Sequence, residues 1–599
     1  MTAVAPRSAI APEQTWNIGS VFPNEAAWEA AFAAVEASLP DLQRFQGHLA
    51  DGPQTWADWL VAQEALQRSV DRVYVYASMA HNVDTTDAAA TAKYDQVRGL
   101  TSRAATAVAF AEPELLAIGL PTLREWVKTT PALSVYAHYL DQLERKQAHV
   151  RSAEVEEVLG LVRDPFSSTS AIHGTLADAD LHFAPAVDSD GESHELTKGT
   201  VGTLLLSADR ELRRTTWENY ADAHLTLKHG FTNCLSAGAK QTVFLSRVRR
   251  YESALDAALT SNFVPASVFH NLLDTYRRHL PTWHRYWRIR RQALGVAQFH
   301  EYDTWAPLTP RKIEVPFTRA VDWIAEGMQP LGDDYVNVLR RGMGPERWVD
   351  RSVNLGKRSG AYSSGVPGTH PFILMSYNDS IYAMSTLAHE IGHSMHSFYS
   401  WQHQPLVYSD YSLFVAEVAS NFNQALVRAH LLETLTDRDM QITLIEEAMA
   451  NFRRYFFIMP TLARFELEVH QRSERGEGLT ADGLIALMAG LFQEGYGDEV
   501  VMDVERIGST WMHFSTHLYY PFYVYQYATG IAAAHALADK VRQGGDAPAR
   551  YLQFLQAGGS VYPLDALKLA GVDMNTPEPV EQTFNVLAGL VDRLEALTQ

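Results

Sequence analysis

The stretch 386-TLAHEIGHSMHSFYS-400 decides how this chain is read. It holds three histidines and one glutamate and no proline. Met384, Leu387, Ala388, Ile391, Met395 and Phe398 recur at helical spacing and make an apolar stripe that predicts a buried helix. Within it, His389-Glu390-Ile391-Gly392-His393 fits the pattern H-E-x-x-H. On a helix, residues four apart share one face, about 6 Å apart along the axis. Two imidazoles there can converge on one metal ion, and the glutamate beside the first can reach water at that ion. Such a pentapeptide arises by chance in roughly one chain of this composition in ten, so its surroundings must carry the reading.

His396 lies on the same face as His389, seven residues on. Seven residues span about 10.5 Å of helix, too far for two bonds of about 2.1 Å to one ion. A metzincin-type third histidine would fall six residues after His393, where this chain has Tyr399. His396 is therefore expected to support the site or the core rather than bind metal. The next helical run, 410-DYSLFVAEVASNFNQALVRAH-430, offers another ligand. Glu417 sits in its otherwise uncharged centre, where a carboxylate is costly unless paired or metal-bound. Two readings stand: a solvent-facing glutamate, or a third ligand on a helix folded back against the first. The 24-residue separation from His393 favours the ligand. A His/His/Glu set leaves a fourth position open, as catalytic zinc requires.

The rest of the chain sets the frame. It has 599 residues, 46% of them hydrophobic, enough for a large packed interior. The net charge of −20 disfavours nucleic acid and anionic membrane as partners. The lone cysteine, Cys234, excludes an internal disulfide and a cysteine-based zinc module. The N-terminal residues lack the apolar run of a signal peptide, and no segment reaches 18 uninterrupted apolar residues. A cytoplasmic protein is expected.

Asn24 caps a predicted helix beginning at Glu25, and helical patterning continues to about residue 165. Residues 176–206 read as a β-hairpin turning at Asp188–Gly191. Its DSDGE sequence is no calcium loop, because counting from Gly191 puts Ala186 and Thr197 at the two end positions. A second β candidate, 371–377, directly precedes the metal-motif helix, and there it could hold a substrate as an added strand. The expected division is a helical domain at 1–195 and a catalytic domain at 196–599. A second unusual stretch, 511-WMHFSTHLYYPFYVYQYATG-530, is either an aromatic core or a source of neutral hydrogen-bond donors for an oxyanion.

These pieces together resemble the M3 metallopeptidases, and within them oligoendopeptidase F. The similar segments are 16-WNIGSVFPNEAAWEAAF-32, 247-RVRRYESAL-255, 359-SGAYSSG-365, 386-TLAHEIGHSMHS-397, 416-AEVASNFNQ-424, 521-PFYVYQYATG-530 and 570-AGVDM-574. The resemblance implies a mainly α-helical, prolate, multi-helix body. It also implies a deep central channel between lobes and a few short β-hairpins near the active site. It implies a zinc endopeptidase that cuts short unstructured oligopeptides, with one Zn²⁺ per chain on His389, His393 and Glu417. Glu390 would be the general base, and His517 with Tyr523 and Tyr525 the oxyanion donors. The sequence departs from the oligoendopeptidase F pattern at Gln424, where a carboxylate is usual. A helical exopeptidase with the same motif is the alternative function, and a non-catalytic peptide-binding scaffold the other. Oligomeric state is not legible.

Overall fold

The Asn24 side chain accepts the Ala27 amide at 3.0 Å and starts the helix Glu25–Gln43, as its position predicts. The long helices Pro53–Val83 and Ala88–Val108 pack beside it. The computed structural model describes residues 4–599. Of the described residues, 71% are helical and 3% are strand, so the architecture is the mainly α, multi-helix body expected.

Trp16, Trp28, Val35, Val73 and Leu100 form the core of these first helices, and Phe372 and Leu374 belong to the same core. This burial explains why the chain does not divide at residue 195. One compact unit comprises Met1–Ala148, Glu314–His430 and Leu537–Gly571; the other comprises His149–Ile313, Leu431–Ala536 and Val572–Gln599. Apolar side chains from the distant 314–430 stretch complete the first helices' core, so packing overrides chain order.

In the first unit a three-stranded sheet is ordered Val349–Asp350, Phe372–Leu374, Tyr362–Ser364. The first pair is parallel and the second antiparallel. Phe372, Ile373 and Leu374 are wholly buried. The expected substrate strand is thus the central one. Both its hydrogen-bonding edges are taken, and it cannot accept a further strand. Tyr362–Ser364 is an edge strand instead. The buried Asp350 carboxylate is paired with Lys357 at 2.7 Å and Arg7 at 2.9 Å, as a buried charge must be.

In the second unit, Ala186–Val187 pairs antiparallel with Ser193–His194 around the predicted turn, but the hairpin is far shorter than the expected 176–206: Leu176–Asp180 and Val201–Leu205 are helical. The Asp188 carboxylate accepts the Asp190 and Glu192 amides at 3.0 and 2.9 Å and contacts His194 Nε2 at 2.7 Å. Its oxygens close a turn. Among the described residues, no single helix is long and apolar enough to cross a membrane.

Candidate active site

Ser380 opens the motif helix, Ile381–His403, by accepting the Ala383 amide at 3.1 Å. Met384, Leu387, Ala388, Ile391 and Met395 are buried, so the predicted stripe is its core face. The helix Leu413–Thr434 approaches it closely at Gly392. A Cβ built on Gly392 would lie 2.5 Å from the Ala419 carbonyl oxygen and 2.7 Å from Ser420 Cα. Only a residue without a side chain lets the two backbones come this near.

That approach brings Glu417 to the two motif histidines. Its Oε2 lies 3.4 Å from His389 Nε2 and 3.9 Å from His393 Nε2. The imidazole rings stand nearly perpendicular, 4.9 Å between centroids. Tetrahedral bonds of about 2.1 Å set neighbouring donor atoms about 3.4 Å apart, so the donor set and its spacing suit zinc. Among the described residues, this is the single cluster of three such groups close enough to share an ion. Burial, joined by the nearby His389, pulls His393 down to about 4. It is then held as the neutral imidazole that metal binding needs.

The partners behind these ligands orient them. His389 Nδ1 lies 3.2 Å from Gln424 Oε1, and the Gln424 amide donates to Ser385 Oγ at 2.8 Å. The amide oxygen fixes the proton on Nδ1 and leaves Nε2 for a metal. The His393 ring is hydrogen-bonded to the Ala416 backbone. Glu390 is 6% exposed, and its carboxylate is bonded to the backbone of Ser363 on the edge strand. Burial is the main reason its carboxyl is raised to about 7, with the Glu417 charge adding to it and His389 opposing it. A divalent cation on the ligands would oppose that rise and favour the carboxylate.

His396 is buried and stacked on Tyr411, with ring centroids 3.6 Å apart. Phe554 flanks it at 5.1 Å. Burial pulls it down to about 3, so it serves as a neutral core ring, as the distance argument expects.

The tyrosine-rich segment lies in the other compact unit. His517 opens the short turn His517–Tyr519, and Tyr525 opens the helix Tyr525–Gln543. The Tyr523 and Tyr527 hydroxyls are 2.9 Å apart, and both rings lie about 6 Å from His517, at 6.1 and 6.0 Å. Burial, then the Arg454 charge, lowers the His517 pKa, so the ring is neutral at neutral pH. Tyr525 does not join them. It is 1% exposed, with its ring edge-on to Phe269 at 5.3 Å, and burial pushes its hydroxyl well up. Tyr523 precedes the helix Tyr525–Gln543 and Tyr527 lies in its first turn, so the bend at Phe522, and not a helical period, brings the two hydroxyls together. Tyr527 is not among the donors named from the sequence, where the aromatic run gives no sign of which tyrosines meet.

A mainly helical chain carrying two imidazoles, a carboxylate close to both and a buried glutamate beside them has the make-up of a metallopeptidase. Comparison with known proteins agrees. The profile of Peptidase family M3 matches residues 203–586, and that of Oligopeptidase F matches 114–183. The chain is 36% identical to Oligopeptidase PepF of Bacillus subtilis, over 99% of this chain and 88% of that one. It is 33% identical to Group B oligopeptidase PepB of Streptococcus agalactiae, over 99% and 98%. Among solved structures, a peptidase from Chlamydophila abortus superimposes with a TM-score of 0.90 at 33% identity, covering 99% and 100% of the two chains. Oligoendopeptidase-F from Enterococcus faecium gives 0.74 at 29%, covering 95% and 98%. The chain belongs to peptidase family M3 and is of the oligoendopeptidase F type, a metallo-oligopeptidase.

Proposed function

We propose that this enzyme is a zinc-dependent endopeptidase of short, unstructured oligopeptides, with one zinc ion on His389, His393 and Glu417. The observation that carries this is the convergence of Glu417 Oε2 on both Nε2 atoms at 3.4 and 3.9 Å, beside the buried Glu390. Zinc bound there supplies a Lewis acid that polarises the scissile carbonyl and acidifies water. Glu390 takes the proton of the attacking water and passes it to the leaving amine. The Ser363 backbone contact holds its carboxylate in place for both transfers. His517 and the Tyr523–Tyr527 pair donate hydrogen bonds to the developing oxyanion, replacing the expected pairing of Tyr523 with Tyr525. The edge strand Tyr362–Ser364 carries the role first given to 371–377. An extended peptide bound along it through main-chain groups gains affinity with little sequence preference.

Short peptides as substrates are supported by the names of the relatives, and a cytoplasmic setting by the lone, undisulfided Cys234. The charge of −20 supports partners other than nucleic acid or anionic membrane.

A peptide blocked at both ends separates the endopeptidase from a helical exopeptidase. Mass mapping should find internal cuts, and an uncut doubly blocked peptide would sink the endopeptidase reading. Glu390→Gln should retain metal by elemental analysis and lose on the order of 10²- to 10⁴-fold in kcat. Normal turnover by that variant would overturn the mechanism.

A further inference from the structure

Under the tyrosine-rich segment lies a carboxyl group that the hydrolytic reading does not use. Glu466, on the helix Met459–Glu474, is 2% exposed. Its Oε1 accepts the Phe522 backbone N–H at 2.6 Å, and its Oε2 has no hydrogen-bond partner. A buried carboxyl with a single hydrogen bond is an expensive group to keep in a core. Burial pushes it up to about 8, so at neutral pH it is a neutral acid whose oxygen serves as an acceptor.

The amide it receives belongs to an unusual residue. Phe522 has a φ of 51°, in the left-handed region that bulky side chains rarely adopt. Its ring is 1% exposed, edge-on to Phe269 at 5.9 Å and 4.8 Å from His470. Phe522 is where the chain reverses between the His517–Tyr519 turn and the Tyr525–Gln543 helix. The Tyr523 amide then bonds Tyr520 O, and the Gln526 amide bonds Tyr523 O, both at 3.1 Å. That reversal places Tyr523 against His517 and its hydroxyl against Tyr527. The other end of the segment is tied down too: the buried His173 bonds the Tyr519 hydroxyl and the Met512 carbonyl, each at 2.9 Å.

We propose that Glu466 is a positioning residue, holding Phe522 left-handed and so fixing His517, Tyr523 and Tyr527 as a donor set. It touches no substrate and acts through the segment. The inference rests on reading those three residues as oxyanion donors.

Glu466→Met is nearly isosteric, suits a buried site and removes the acceptor, whereas Glu466→Gln keeps one. Glu466→Met should lower kcat by roughly ten- to a hundredfold with KM little changed, because the donors act on the transition state. Glu466→Gln should stay near wild type. Backbone hydrogen exchange over 514–527 should quicken in Glu466→Met and not in Glu466→Gln. In a Tyr523→Phe background, Glu466→Met should cost little more, since both act through one group. Unchanged kcat, a Gln variant as slow as the Met variant, unchanged exchange, or full additivity with Tyr523→Phe would each overturn the inference. If Tyr523→Phe alone leaves kcat unchanged, the donor reading fails, and hydrogen exchange still decides whether Glu466 holds the segment. Should Glu466→Met not fold, Glu466→Asp, which withdraws the carboxyl by one methylene, takes its place with the same expectations.

Discussion

The amide oxygen of Gln424 lies 3.2 Å from His389 Nδ1. It accepts the imidazole proton without a charge of its own. Gln424→Leu should weaken zinc binding by about 10- to 100-fold in a chelator competition, the usual cost of losing such a partner. Gln424→Glu should tighten it, because a carboxylate raises the basicity of the ligand. Equal affinity in all three proteins would show that Gln424 does not orient His389. The tyrosines divide just as sharply. Tyr523→Phe or Tyr527→Phe should cost about 10²- to 10³-fold in kcat, the range for one oxyanion donor. Tyr525→Phe should leave kcat near wild type, since that ring is buried against Phe269. A slow Tyr525→Phe with normal stability would restore Tyr525 to the chemistry.

At the scale of elements, the site is made by two helices whose backbones nearly touch. Gly392 permits this, since a Cβ there would meet Ala419 O at 2.5 Å. Gly392→Ala should cost roughly 1–3 kcal/mol, the usual range for overpacking a core. It should also weaken zinc binding, because separating the helices withdraws Glu417 from His389 and His393. Denaturant melts and metal titration measure the two effects; normal zinc affinity would mean the helices tolerate the shift. The helix Ile381–His403 was legible from its stripe and its spacing. Glu417 was legible as a carboxylate in an uncharged run, 24 residues after His393, and the resemblance pointed to it as the third ligand. The strand 371–377 was found as a strand, and its place in the sheet was not. Whether a strand is central or at an edge depends on which distant segments pair with it, and here these are Val349–Asp350 and Tyr362–Ser364.

For the molecule as a whole, a buried acid leaves a mark on the pH dependence of folding. The Glu466 pKa rises from 4.5 in the unfolded chain to about 8 in the fold. The folded state therefore holds the extra proton between those values. The stability this brings is fully present below about 4.5 and is lost as pH climbs towards 8. Glu466→Gln cannot lose a proton. Measured by chemical denaturation, the wild type should lose stability relative to Glu466→Gln as pH rises from 4.5 to 8. A constant difference across that window would mean Glu466 is not held as the acid.

The sequence by itself determined the helices, their caps, the turn at Asp188–Gly191, the paired histidines and the glutamate between them. All of these follow from residues a few positions apart, where the helical and strand periods act directly. Only the tertiary structure decided that 372–374 lies at the centre of its sheet, that the Tyr527 hydroxyl meets that of Tyr523, and that the first helices share a core with Phe372 and Leu374. Those outcomes depend on contacts between segments far apart in the chain. Burial and close backbone approach select them, and no local pattern records them.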